Sequence, residues 1–295
     1  MRPVEKGFLL LSSHLGNPDR KVLSPAQMRV LAQRVQNLSW EGEDRELTEA
    51  DLIRLGYGRE MAGRIADLLR DEAVLRWYCK RAAAAGAVPV TRVSGDYPVI
   101  LRHRLGLDAP GCLWVKGDAS ILNTPAVALV GSRDIREENR AFAEVVGYQA
   151  AAQGLTLVSG NARGADRAAQ EACLRAGGRV ISIVADELSG KMARRNVLYV
   201  SEEDFDAPFR AQRALSRNRC IHALGRMVFV AQADLCKGGT WDGTVKNLRF
   251  GWSNVACFRD GSEASRQLEQ MGAFLIGQED LEDLGALIGE PTGLV

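Results

Sequence analysis

The sequence predicts an α/β protein: a parallel sheet covered on both faces by helices, with a small all-helical region ahead of it. Three observations predict it. Short apolar runs, several followed by glycine or small polar residues, recur through the second half of the chain. Stretches with helical spacing lie between those runs, and the residues before about 90 show helical spacing alone.

Taken in order, Ser24-Pro25-Ala26-Gln27 has the S-x-x-Q form of a capping box, with proline at the first helical position. Met28, Leu31, Val35 and Leu38 then make one apolar stripe. Thr48 signals a second start, with Leu52 and Leu55 behind it. Gly56-Tyr57-Gly58 interrupts, and Met61, Ile65, Leu68 and Leu69 resume on one face. Helix, tight glycine turn and helix resembles a helix-hairpin-helix unit, whose hairpin amides hold a DNA phosphate without reading sequence. An αα-corner with a glycine cap accounts for the same residues, and both readings stay open.

Residues 86–125, with Pro89, Pro98, Pro110 and Pro125 spaced along them, read as a linker. The texture then changes. Val127 to Val130, Leu155 to Val158, Val180 to Val184, Met227 to Ala231 and Val255 to Phe258 read as buried parallel strands. Glu137 to Gln153, Ala165 to Ala176 and Arg217 to Leu224 read as helices between them. This alternation gives an extended Rossmann-like domain over residues 91–295, behind a helical domain over residues 1–90.

Composition bounds the function. The chain has 295 residues, 46% hydrophobic and 25% charged, as expected of a globular protein with an ordinary core. No apolar run approaches the ~18 residues that span a bilayer, and the start lacks a signal-peptide layout, so a cytoplasmic protein without membrane contact is expected. Cys79, Cys112, Cys173, Cys220, Cys236 and Cys257 contain no C-x-x-C pair and read as free thiols. His14, His103 and His222 are too scattered to build a metal centre. No metal or other cofactor is expected. The net charge is +1, so polyanion binding must come from local clustering. Such a cluster exists between Ala207 and Arg226, where Arg210, Arg213, Arg217, Arg219 and Arg226 occur without an acidic residue.

In an open parallel sheet, ligands sit beyond the carboxyl ends of the strands. Four segments qualify. Gly131-Ser132-Arg133 follows a strand and offers close backbone approach, a hydroxyl and a guanidinium fork. The segment from Ser159-Gly160 through Arg163 to Asp166 follows another, with a helix N-terminus that favours anions. Ser216-Arg217-Asn218-Arg219 lies in the acid-free stretch. The fourth, Lys237-Gly238-Gly239-Thr240-Trp241-Asp242-Gly243-Thr244, reads as a glycine-rich loop, where Trp241 either stacks on a base or packs against the sheet. None is a Walker A motif and none matches G-x-G-x-x-G, which argues against a P-loop ATPase or a nicotinamide dehydrogenase.

These residues also carry a resemblance. Val127 to Arg133 is similar to the "vaiVGsR" opening of the DprA (Smf) family of DNA-processing proteins. Ser159 to Asp166 resembles its "SGxAxGiD", and Arg217 to Leu224 its "RNRiIagL". Tyr97-Pro98 with Leu101, and Pro110 with Leu113 and Lys116-Gly117, match "dYP..L … pP..L..kG". Met271-Gly272-Ala273 and Asp283-Leu284 match the closing "GA … s..Dil". The resemblance implies a protein that binds single-stranded DNA, forms a homodimer and helps load a RecA-type recombinase in natural transformation, without catalysing a reaction of its own. It places nucleic-acid contacts on Gly131, Ser132, Arg133, Ser159, Gly160, Arg163, Arg217, Asn218 and Arg219. The fourth segment adds Lys237, Gly238, Gly239 and Thr240.

Departures from the pattern are specific. Gln170 replaces a histidine, Gln232 replaces an acidic residue, and GGTWDGT replaces "SGSlxTA". The stretch from Val184 to Phe209 is altered, and the winged helix that closes many members is not expected here. Two other readings therefore accompany the first. One is a small-nucleotide sensor, or a defence-associated relative, of the wider SLOG superfamily. The other is a phosphoribohydrolase, whose "PGGxGTxxE" loop Gly238-Gly239-Thr240 and Gly243-Thr244 faintly resemble, although Asn247 stands where that chemistry needs a carboxylate.

Overall fold

The computed structural model describes residues 1–36 and 47–289. Among the described residues the first elements are α1 (Pro3–Ser12), α2 (Pro25–Gln36), α3 (Glu49–Arg54), α4 (Arg59–Arg70) and α5 (Glu72–Ala84). The capping box at Ser24 forms, with Gln27 N–H donating to Ser24 Oγ at 3.2 Å and Ser24 N–H to Gln27 Oε1 at 2.9 Å. Of the stripe behind it, Leu31 is buried and Met28 and Val35 pack on the same cluster, while Leu38 lies outside the described residues. Thr48 caps α3 by accepting from Asp51 N–H.

The segment read as a linker is folded into the sheet. It contains β1 (Ala87–Thr91), α6 (Val99–Leu105) and β2 (Cys112–Lys116). Its prolines mark edges and caps: Pro89 sits in an edge strand, where a missing N–H costs least, and Pro98 caps α6. Tyr97 is buried and donates its hydroxyl to the Pro110 carbonyl at 2.7 Å. At Gly117, φ is +121° and a Cβ would come within 2.6 Å of the Val197 carbonyl oxygen, so only glycine fits.

The remaining elements are β3 (Ala126–Val130), α7 (Glu137–Ala152), β4 (Thr156–Ser159), α8 (Ala165–Arg175), β5 (Arg179–Ile183), β6 (Val197–Ser201), α9 (Ala211–Ser216), α10 (Asn218–Leu224), β7 (Met227–Val230), α11 (Gly238–Phe250), β8 (Asn254–Phe258), α12 (Glu263–Gln270), β9 (Phe274–Ile276) and α13 (Leu284–Ile288). The nine strands form one sheet in the order β1-β2-β6-β5-β4-β3-β7-β8-β9. From β6 to β9 every pairing is parallel; β1 with β2 and β2 with β6 are antiparallel. The sheet is thus α/β and Rossmann-like with an antiparallel extension, where a purely parallel sheet was expected. Strand order reverses between β3 and β7.

Alternation along β3 shows the three layers. Val127 and Leu129 face one core with Phe142, Val146 and Ala169; Ala128 and Val130 face the other with Leu101, Cys220 and Ile221. The N-terminal helices join the first core through Leu9, Leu10 and Tyr78, and Tyr78 packs edge-on against Trp114 of β2 at 5.4 Å. No helix among the described residues is long and apolar enough to cross a membrane.

Candidate nucleic-acid interface

The carboxyl ends of β3 and β4 meet at two glycine-dependent contacts. A Cβ on Gly131 would overlap that of Ala165 and approach that of Ala231 to 3.3 Å. Gly164, at φ +83°, would drive a Cβ into the Ser132 carbonyl and to 2.7 Å from the Arg133 carbonyl oxygen. Glycine at these positions lets α8 start directly on the end of β3, so the loops carrying Arg133 and Arg163 touch. Ala165 N–H closes the junction by donating to the Ser132 carbonyl at 3.2 Å.

The loop after β4 is held from beneath. Asp166, buried in the first turn of α8, accepts from Gly160 N–H at 3.1 Å and Ala162 N–H at 3.2 Å. Burial pushes its carboxyl up, against the pull of Arg217, the two amides and Arg133. Asn161 supports the turn with φ +58°, which asparagine tolerates. Arg163 and Gly164 N–H have no internal acceptor among the described residues and lie beside the α8 N-terminus.

The predicted contact residues divide. Arg133 and Arg163 are exposed and make no ion pair or side-chain hydrogen bond among the described residues. Ser132 is half-buried, its Oγ accepting from Asp134 N–H. Ser159 does not face solvent: it is fully buried and its hydroxyl accepts from Gln170, the residue standing where the family has histidine. Gly160 is buried because Arg217 lies over it; a Cβ there would overlap the guanidinium.

Arg217 is 6% exposed and donates Nη2 to the Gly160 carbonyl at 3.0 Å. Its fork is turned inward, so the expectation of a solvent-facing phosphate contact does not fit this side chain. Arg219 is also engaged. It pairs with the almost buried Glu202 at 2.9 Å and donates to the Ser216 and Asp108 carbonyls. The sequence around Arg219 lacks carboxylates, but the fold brings Glu202 to it from the end of β6.

The third and fourth segments are not strand-end loops. Ser216 to Arg219 is the junction of α9 and α10, and it reaches the same rim because α10 starts beside Gly160. Gly239 to Thr244 occupy the first two turns of α11, a helix where a glycine-rich loop was expected. Lys237 precedes it, exposed and with no side-chain partner among the described residues; Gly238 is exposed at φ +77°, and Thr240 is half-buried. Asn218 ties the two helices by donating to the Gly239 carbonyl at 3.0 Å. Trp241 packs against the core, the second of its two readings.

Two features escaped the sequence. Gln232 laces the loops after β3 and β7 together: its carbonyl accepts from Ser132 N–H at 3.0 Å, its Oε1 from Arg136 N–H at 2.9 Å, and its Nε2 donates to the Asp134 carbonyl at 3.1 Å. His222 is fully buried between α10 and α11, both ring nitrogens without a partner among the described residues. Burial, with Arg217 adding to it, pushes the imidazole down to about 3. No cluster of metal-ligating side chains occurs among the described residues.

Comparison with known proteins follows this geometry. The family model of DNA recombination-mediator protein A matches residues 89–280. The chain is 31% identical over 192 residues to DNA processing protein DprA of Streptococcus pneumoniae, covering 60% of this chain and 67% of that one. It is 32% identical over 142 residues to protein Smf of Escherichia coli, covering 44% of this chain and 38% of the relative. The crystal structure of the pneumococcal protein superposes with a TM-score of 0.72 at 23% identity, covering 95% of this chain and 98% of that one. DNA processing protein A of Helicobacter pylori, in a structure concerned with its single-stranded DNA binding mode, superposes with a TM-score of 0.56 at 24% identity, covering 68% and 94%.

Proposed function

Since the chain belongs to the DNA recombination-mediator protein A family, known also as DprA or Smf, we propose that it binds single-stranded DNA along the rim at the carboxyl ends of β3 and β4. One observation carries this reading. Two exposed guanidiniums, Arg133 and Arg163, without ion-pair partners among the described residues, stand on touching loops beside amides that have no acceptor among those residues and beside the positive end of α8. Lys237 and the start of α11 extend the positive ledge, and Asn218 holds α11 in place beside it. In this reading Ser159, Gly160, Arg217 and Arg219 shape the rim from behind.

The finer role we infer is that of a cytoplasmic homodimer that protects single strands and assists a RecA-type recombinase in DNA uptake. Residues 91–295 would carry the binding and residues 1–90 a helical unit clamped to the sheet. A binding role without catalysis is supported by Asn247, buried where a phosphoribohydrolase needs its carboxylate and donating to Ser253 Oγ at 3.1 Å.

The test is fluorescence anisotropy with single- and double-stranded oligonucleotides across a salt series. Tighter single-strand binding is expected. Each of Arg133→Ala and Arg163→Ala should weaken it and lower the salt slope by about 0.7, the value for one phosphate contact on a single strand. Binding indifferent to both substitutions removes the rim from consideration.

A further inference from the structure

A second site lies away from the strand ends. Between the N-terminal helices and the sheet runs a cleft of ≈ 570 Å³. Phe8 of α1, Met28 of α2 and Leu107 beyond α6 give it apolar walls, and Arg29, Arg92 and Arg102 line it together with them. No carboxylate lines it among the described residues. Arg92 donates to the Gly106 carbonyl at 2.8 Å and Arg102 to the Arg92 carbonyl at 3.4 Å, whereas Arg29 has no side-chain hydrogen-bond partner among the described residues. None of the three makes an ion pair among the described residues, and Arg29 of α2 and Arg102 of α6 are exposed.

We propose that this cleft docks an acidic peptide segment of a partner protein, inserting one bulky apolar side chain and setting its carboxylates against the three arginines. The cleft has the size of an ordinary ligand site, and its position at the junction of two structural units is where such sites concentrate. An apolar anchor surrounded by complementary charge is the pattern of a binding hot spot. Arginine forks match carboxylates in a bidentate manner, and no carboxylate of the cleft itself competes for them. A nucleic acid fits less well, since base stacking needs aromatic platforms and the cleft walls supply Phe8 among mostly aliphatic neighbours.

The experiment titrates the full chain into a fluorescein-labelled acidic peptide, Glu-Asp-Leu-Phe-Asp-Glu. Two control peptides carry lysine at every acidic position or alanine in place of Leu-Phe. The acidic apolar peptide should bind about tenfold tighter than either control. The Arg29→Glu/Arg102→Glu double variant and the cleft-filling Ala32→Trp should each weaken it by about tenfold, with melting temperatures unchanged because all three side chains are exposed. Single-strand binding at Arg133 should persist in both variants, which separates this proposal from the one above. Equal binding of the three peptides, indifference to both variants, or displacement of the peptide by oligo-dT would overturn it.

Discussion

Arg217 and Arg133 carry the same guanidinium and do opposite things. Arg133 stands free in solvent, whereas Arg217 spends its fork on the Gly160 carbonyl beneath the loop. Replacing Arg217 by alanine should therefore lower the melting temperature before it touches DNA affinity, while Arg133→Ala should do the reverse. Arg219→Ala would leave the Glu202 carboxylate buried with the Cys220 thiol but without its cation, costing roughly 3 kcal/mol in urea denaturation. None of this is legible in the sequence, because the direction of an arginine is set by tertiary acceptors. The motif residues were found; which of them face outward was not. His222 makes a pH prediction. Burial pushes the imidazole down to about 3 in the fold, below the unfolded 6.5, so above about pH 7.5 both states are largely uncharged and the histidine contributes little pH dependence. As pH falls below 6.5 the unfolded chain takes up a proton that the fold refuses. Stability should decline by about 1.4 kcal/mol per pH unit down to about pH 3. Denaturation of the parent and His222→Leu at pH 5 and pH 7 measures it; an unchanged slope in the variant would refute it.

Among elements, the α7–α8 pair is the tightest constraint behind the rim. Gly147 of α7 faces the backbone of Ala169 on α8, and a Cβ would overlap that carbonyl oxygen and lie 2.8 Å from its carbon. Gly147→Ala should cost about 1–3 kcal/mol by forcing the helices apart. Since α8 carries the loop that holds Arg163, single-strand affinity should fall with it, and thermal melting with anisotropy on one sample checks both. The central elements were legible because buried parallel strands read as unbroken apolar runs. β1, β2, β6 and the short β9 were not. β1 and β2 sit among prolines whose edge and cap roles imitate a linker, and β6 lies in a stretch that departs from the family pattern. α11 was mistaken for a loop because Gly238, Gly239 and Gly243 mask its helical character. Gly243 is there because His222 packs on it, with Nε2 3.1 Å from where a Cβ would stand.

At the scale of the whole molecule, helices and sheet are joined by aromatic packing. Tyr78, Trp114 and Phe205 pack as a cluster of three mutually touching rings, and the Tyr78 hydroxyl donates to Asp206 at 2.6 Å. Tyr78→Ala should cost about 3–5 kcal/mol and loosen the N-terminal helices from β2. Hydrogen exchange should show lost protection in α1 and α5 and in β2, with the β3–β7 centre retained. Gln232, meanwhile, sews shut the place where strand order reverses, the slot in which folds of this kind usually swallow a dinucleotide. Beside that seam Arg133 and Arg163 are exposed, and a ligand there would rest on an open rim, as on a shelf. A compact solute resting there has one face to offer and leaves easily. A long flexible polyanion crosses the shelf at several points and, having let go at one, is still held at the next. If the rim binds single strands as proposed, the Gln232 seam beside it favours a ligand held at many points over one held at a single point.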